Sequence, residues 1–268
     1  MKNTIMKNIS KILLILFSIL FLYGTSYASD DVNQKTHKIL KPGFSFEGPF
    51  GVFDRSELRR GYQVYSEVCS SCHSIDQLSF RNLIQEGGPE FSEEETKRIA
   101  SQYTISDRYD DYGELVERKR LLSDRFPSPF PNKKAAMFAN NGSYPPDLSL
   151  IVKARVGGHN YIYSLLSGYE ETIPEGLEVS GTLSYNPWYP GSAGIAMMQP
   201  LYDDLIEYSD GTPATIDQMA YDVTVFLSWV SEPELEARKK MGFVVIGFLI
   251  IFVFLMYLST RRLWKEVH

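Results

Sequence analysis

Cysteine is scarce in this chain, with Cys69 and Cys72 the only two among 268 residues. A four-cysteine zinc site is therefore excluded. Clear strand alternation is also lacking. Without a strand before the cysteines or a parallel-sheet pattern around them, a thioredoxin-type dithiol has no supporting frame. No internal repeat or low-complexity block interrupts the chain. Basic side chains are few in the middle of the sequence. With Lys2, Lys7 and Lys11 set aside, and the six basic residues and one acid from Arg238 onward, residues 29–237 hold 18 basic and 32 acidic side chains, a net charge near −14. A field of that sign speaks against nucleic acid as a partner and steers cationic proteins toward the surface at rates that fall with salt.

What the chain does contain is Cys69-Ser70-Ser71-Cys72-His73, the Cys-x-x-Cys-His form of c-type haem attachment. Upstream, Leu58, Tyr62, Tyr65 and Val68 recur at helical spacing, with Asp54 or Ser56 as caps and Glu57 in the first turn. The spacing predicts one helix from about Ser56 to His73. Residues three and four apart on a helix share a face, so two thiols and an imidazole are presented to one ligand. The thiols add across the haem vinyl groups, and the imidazole takes one axial position on the iron. Its other ring nitrogen is expected to hydrogen-bond to a partner that fixes the tautomer.

Two apolar runs mark the ends. Basic lysines, the run Ile12 to Leu22 and the small residues Ser26-Tyr27-Ala28 have the pattern of a signal peptide covering residues 1–28. Met241 to Leu258 carries no charge and covers most of a roughly 30 Å hydrocarbon core. We expect an exported head over residues 29–237, a transmembrane anchor over 238–260 and a cytoplasmic tail over 261–268. Basic residues flank the span on both sides, so orientation follows from the signal peptide rather than from the flanks.

Between these ends the head reads as all-α and rich in loops. The stretch around Phe44, Phe46, Phe50 and Phe53 suggests an extended arm packed on the domain. Helical stretches are expected around Leu78 to Ile84, from a capping box at Ser92 and Glu95, over Lys133 to Phe138, Leu148 to Val156 and Tyr161 to Ser167, and from about Thr215 through Trp229. Residues 104–146 outside these helices read as long ordered loops.

The second axial ligand decides between electron transfer and chemistry at an open iron. Methionine sulfur raises the potential, a second histidine lowers it, and an open position admits small molecules. Met219 and Met137 fit core packing. Met197 and Met198 stand in a loop of small residues that lets backbone approach a flat macrocycle. The residues alone leave the choice at one of these two, with His159 as a rival.

Arg59-Arg60-Gly61-Tyr62 before the Cys-x-x-Cys-His step, Asn140-Asn141-Gly142 with Pro145-Pro146-Asp147-Leu148-Ser149, Lys153-Ala154-Arg155 with Gly157-Gly158, and Tyr185-Asn186-Pro187-Trp188-Tyr189-Pro190-Gly191 form an ordered set. Together they closely resemble the cytochrome c1 family, from about Phe44 to Lys265. The resemblance implies a cytochrome c-like helical fold with long insertions and one C-terminal transmembrane helix. It implies one haem c held by Cys69 and Cys72, with His73 and Met197 on the iron. Arg155 and Tyr161 match residues near the haem propionates, and Asn141, Pro145 and Pro146 match residues lining the haem. It further implies an electron-transfer subunit, not an enzyme by itself, passing electrons from the Rieske iron-sulfur protein to cytochrome c. Cytochrome b would be its membrane partner in a dimeric bc1 complex, in the inner membrane of a bacterium with the head in the periplasm. The readings set against this one are a stand-alone membrane-anchored carrier and a haem enzyme or gas sensor with an open sixth position.

Overall fold

The computed structural model describes residues 38–175, 177–191 and 194–266. These fall within one compact unit, Thr36–His268. The signal-peptide reading lies outside the described residues.

Among the described residues six helices carry the fold: α1 (Arg55–Glu67), α2 (Glu93–Ser101), α3 (Lys133–Ala139), α4 (Gly158–Ser167), α5 (Ile216–Ser231) and α6 (Leu235–Glu266). Their starts follow local chemistry. Asp54 caps α1 by accepting from the Ser56 and Glu57 amides, Ser92 caps α2 through the Glu95 amide, and Thr215 caps α5 through the Gln218 amide. Each cap satisfies an amide that has no partner within its helix.

The core forms where α1 and α5 cross. Gly61 permits the approach, because a Cβ there would sit 2.0 Å from the Asp222 carbonyl oxygen. Tyr62, Tyr65, Phe126 and Phe226 pack edge-on around the crossing, beside the fully buried Trp229 and Leu58. An ion pair closes its polar side. Arg60 donates to both Asp222 oxygens at 2.9 and 3.1 Å and to Asp210 at 2.9 Å. Asp222 is fully buried and also accepts from Gln218 at 2.9 Å.

Three expectations change. Helix α1 stops at Glu67, and Cys69–Ser71 form a separate 3-10 turn. Ser70 and Ser71 return their hydroxyls to the Ser66 and Val68 carbonyls at 2.7 and 2.8 Å, a competition for backbone acceptors that loosens a helix end. Residues 148–157 form successive turns instead of a helix. There the Ser149 hydroxyl oxygen accepts from the Gln77 amide at 3.1 Å and is committed to a loop contact. The region read as loop holds an antiparallel hairpin, β1 (Thr104–Tyr109) with β2 (Leu115–Lys119), bulged between Ser106 and Arg108. Both of its faces are largely exposed, so it lacks the apolar alternation that marks a half-buried strand. The head remains predominantly helical.

Helix α6 leaves the head through Glu232-Pro233-Glu234 and has a mean hydropathy of 2.8 over its most apolar window, with none of that window buried. It is long and apolar enough to cross a membrane and forms a single-pass anchor.

Candidate functional site

The 3-10 turn after α1 gathers the attachment residues. The Cys72 and His73 amides both donate to the Cys69 carbonyl, at 3.1 and 2.9 Å, which curls two thiols and an imidazole into one turn. Tyr65, on the buried face of α1, donates its hydroxyl to the His73 carbonyl at 3.3 Å. Burial pushes the Cys69 thiol up to about 12. A redox dithiol works through a depressed thiolate, so this shift runs opposite to that reading.

His73 is oriented from the loop that contains Pro145 and Pro146. Its Nδ1 lies 2.7 Å from the Pro146 carbonyl oxygen. A carbonyl can only accept, so Nδ1 carries the proton and Nε2 keeps its lone pair for a metal. Burial lowers the ring's pKa below the ordinary histidine value, against the upward pull of the Pro146 bond and the Asp147 charge. The neutral imidazole is the ligating form.

Asp147 joins the two loops, a role that the sequence reading did not assign. Its Oδ2 accepts from the Ser74 hydroxyl and the Asp76 amide, both at 2.8 Å, and its Oδ1 accepts from the Ser149 amide at 2.9 Å. The Leu148 amide adds a bond to the Ser74 carbonyl at 2.8 Å. Burial raises the Asp147 carboxyl, but the bonds from Asp76, Ser149 and Ser74 outweigh it and hold the group below the usual carboxylate range. The bond to the amide two residues ahead is an Asx turn, a local signal that the sequence reading left unused.

The remaining expected residues lie on separate segments. Asn141 has φ +50 and follows α3 in the left-handed conformation that commonly closes a helix, so its local role is termination. Tyr161 is buried in α4, which raises its phenol, while the positive charge of the exposed Arg155 pulls the other way. Met197 is half-buried, and its carbonyl accepts from the Tyr169 hydroxyl at 3.0 Å. Met198 is 71% exposed. Tyr169 had no local sequence signal. His159 is engaged elsewhere, bonding through Nε2 to Glu47 at 2.8 Å between the edges of Phe44 and Phe46. The structure thus joins His73, Pro146 and Asp147 directly and brings Arg155 and Tyr161 together as charge neighbours. Asn141 and Met197 are set by contacts of their own.

Two thiols in one turn, an imidazole with Nδ1 protonated and Nε2 available, and a helical body on a membrane helix define a membrane-anchored c-type cytochrome. The donor chemistry fits haem: sulfur for two thioether bonds and one neutral nitrogen for iron. Residues 44–267 match the Cytochrome C1 family. The chain is 47% identical over 223 residues to the mitochondrial "Cytochrome c1, heme protein" of Kluyveromyces lactis, covering 82% of this chain and 75% of that one. It is 44% identical over 248 residues to the mitochondrial "Cytochrome b-c1 complex catalytic subunit" of Candida albicans, covering 92% and 85%. Against "Cytochrome b/c1" of Bradyrhizobium diazoefficiens it is 46% identical over 243 residues, covering 84% of this chain but only 35% of that longer protein. This chain belongs to the cytochrome c1 family, whose members bind haem c covalently through two cysteines.

Proposed function

We propose that the chain is the haem-bearing subunit of a cytochrome bc1 complex, taking electrons from the Rieske iron-sulfur protein and delivering them to cytochrome c. Cytochrome b is its partner within the membrane, and the assembly is dimeric. Haem supplies a one-electron carrier whose reaction makes no bond to a substrate. Cys69 and Cys72 hold it by thioethers. His73 would ligate the iron through Nε2, positioned by the Pro146 carbonyl, and Met197 would supply the second donor, a sulfur. Arg155 and Tyr161 would hold the propionates, because a guanidinium fork and a phenol hydroxyl suit carboxylate oxygens. Asn141, Pro145 and Pro146 line the macrocycle. The observation that carries this reading is the 2.7 Å bond to His73 Nδ1, which leaves Nε2 as donor beside two cysteines in a member of this family.

The division into a head over residues 29–237, an anchor over 238–260 and a tail over 261–268 accompanies this reading. The basic and then apolar start supports export, which puts the head in the periplasm of a bacterium and the anchor in its inner membrane. The acidic balance of the head suits a cationic acceptor.

Met197→Leu tests the ligand set. The variant should bind carbon monoxide when reduced and show a lowered midpoint potential, whereas the unmodified chain should bind none at neutral pH. An unchanged spectrum and potential in the variant would transfer the role to Met198. Purification in mild detergent tests the assembly: cytochrome b and a Rieske protein should travel with the chain, and their absence from a haem-loaded preparation would defeat the complex assignment.

A further inference from the structure

We infer that residues 47–52 form a second membrane contact, with the Phe50 ring entering the bilayer interface beside the anchor helix. The arm has sorted its aromatic side chains. Phe44, Phe46 and Phe53 are buried in the core, whereas Phe50 is 79% exposed and Val52 stands exposed beside it. Phe50 is nevertheless fixed in place. Its ring stacks on Phe243 of α6, with centroids 5.0 Å apart and planes 4° from parallel.

The stack fixes its depth. Arg238, Lys239 and Lys240 immediately precede the charge-free run that begins at Met241, and basic residues at such a boundary sit among lipid headgroups. Lys239 and Phe243 are four apart and share one face of α6, with Phe243 about 6 Å farther along the axis. Lys239 donates to the Phe46 and Gly51 carbonyls at 2.7 and 2.8 Å, so the turn is held at the headgroup level while Phe50 reaches one helical turn beyond it. The turn is tight. A Cβ on Gly51 would lie 2.0 Å from the Glu47 carbonyl oxygen, and Gly48 has φ +72. Its far end is tied down as well, since Glu236 of α6 accepts from the Phe53 amide at 2.8 Å.

The occupant that fits this surface is phospholipid at the boundary between headgroups and acyl chains. The patch is continuous with the exposed apolar surface of the membrane-spanning helix, and aromatic rings concentrate at that depth. The inference rests on α6 crossing the bilayer, and the test separates the two.

The test uses the full-length haem-loaded chain, within its complex, in lipid nanodiscs. A single trifluoromethyl-phenylalanine is placed at position 50, and in separate samples at Phe248 within the span and at Tyr112 on the exposed hairpin turn. Fluorine NMR relaxation is measured with a nitroxide near the top of the lipid acyl chain and with a soluble gadolinium chelate. Each sample is compared with one lacking the agent, so relaxation from the haem iron cancels. The labels at 50 and 248 should broaden with the lipid nitroxide and the label at 112 only with gadolinium. A label at 50 that responds to gadolinium alone overturns the inference. Silence at 50 toward both agents also overturns it and assigns the surface to another protein subunit. A label at 248 insensitive to the lipid nitroxide removes the span itself, and the inference with it.

Discussion

Replacing Asp147 should loosen His73 without touching it. The carboxylate accepts three bonds, two of them from backbone amides, and so couples the Ser74–Asp76 segment to the loop whose Pro146 carbonyl holds His73. In Asp147→Asn, one oxygen can still serve the Ser149 amide, and the Ser74 hydroxyl can turn to accept from the new amide. The Asp76 amide is left facing a donor. One orphaned donor costs about 1–3 kcal/mol, at the lower end here because Asp147 is half-exposed. Asp147→Ala loses all three bonds, for about 2–4 kcal/mol, and Ser74→Ala should cost about 1 kcal/mol. Denaturant midpoints of the haem-loaded chain in detergent, read by helix signal and by the haem absorption band, should fall most for Asp147→Ala and less for Asp147→Asn and Ser74→Ala. The sign with pH is fixed. A carboxyl held below its unfolded pKa contributes stability above the unfolded value and loses it as pH falls through the folded value. Asp147→Asn should therefore flatten the acid limb of the stability profile. Removing a negative charge that acts on His73 should also raise the midpoint potential of the bound haem. Equal stability at neutral pH with an unchanged acid limb would refute the coupling.

Arg60→Ala should destabilise the head by about 3–5 kcal/mol, because it strands the fully buried Asp222 carboxylate. Adding Asp222→Asn should recover much of that loss, and a double-mutant cycle with no coupling would show the pair to be energetically idle. Gly61→Ala should cost about 1–3 kcal/mol or more, since its Cβ would overlap the Asp222 carbonyl and force the α1–α5 crossing apart. Its thermal unfolding midpoint checks this, and an unshifted midpoint would mean that the crossing relaxes freely.

The parts of this fold legible in the sequence are those that close within a few residues. Asp54, Ser92 and Thr215 cap the helices that follow them because each bond spans only two or three positions. The attachment residues belong to the same class. The hairpin was not legible, because Arg118 binds Asp107 and Asp124 through a bulge and neither strand carries a buried face. Nor was the end of α1, where serine hydroxyls compete for carbonyls that a helical pattern assigns to amides. Nothing local in the sequence singled out Glu236. Its main partner, Arg55, is 181 residues away, and no local pattern reports a contact of that range.

That contact matters because outer-sphere transfer depends on where the carrier is held, and the head has few ties to its anchor. Glu236 lies in the first turn of α6 and is largely buried. It accepts from the Phe53 amide at 2.8 Å and from the two Arg55 terminal nitrogens at 2.8 and 3.0 Å, at the residues that begin α1, the helix leading into the attachment turn. Arg55 keeps a second partner in Glu90 at 2.8 Å, so Glu236→Ala removes this one link to the anchor without leaving the guanidinium alone. The loss should be about 2–4 kcal/mol for three charge-assisted bonds, moderated by the partial exposure of Arg55. The haem spectrum and midpoint potential should stay as they are, because no bond to His73 or its loop is altered. The effect should appear in orientation. Electron paramagnetic resonance of oriented membranes should show a broader spread of haem-plane angles, with slower reduction of cytochrome c by the complex. A variant whose angular spread matches the unmodified chain would show that Lys239 and the helix connection hold the head without Glu236.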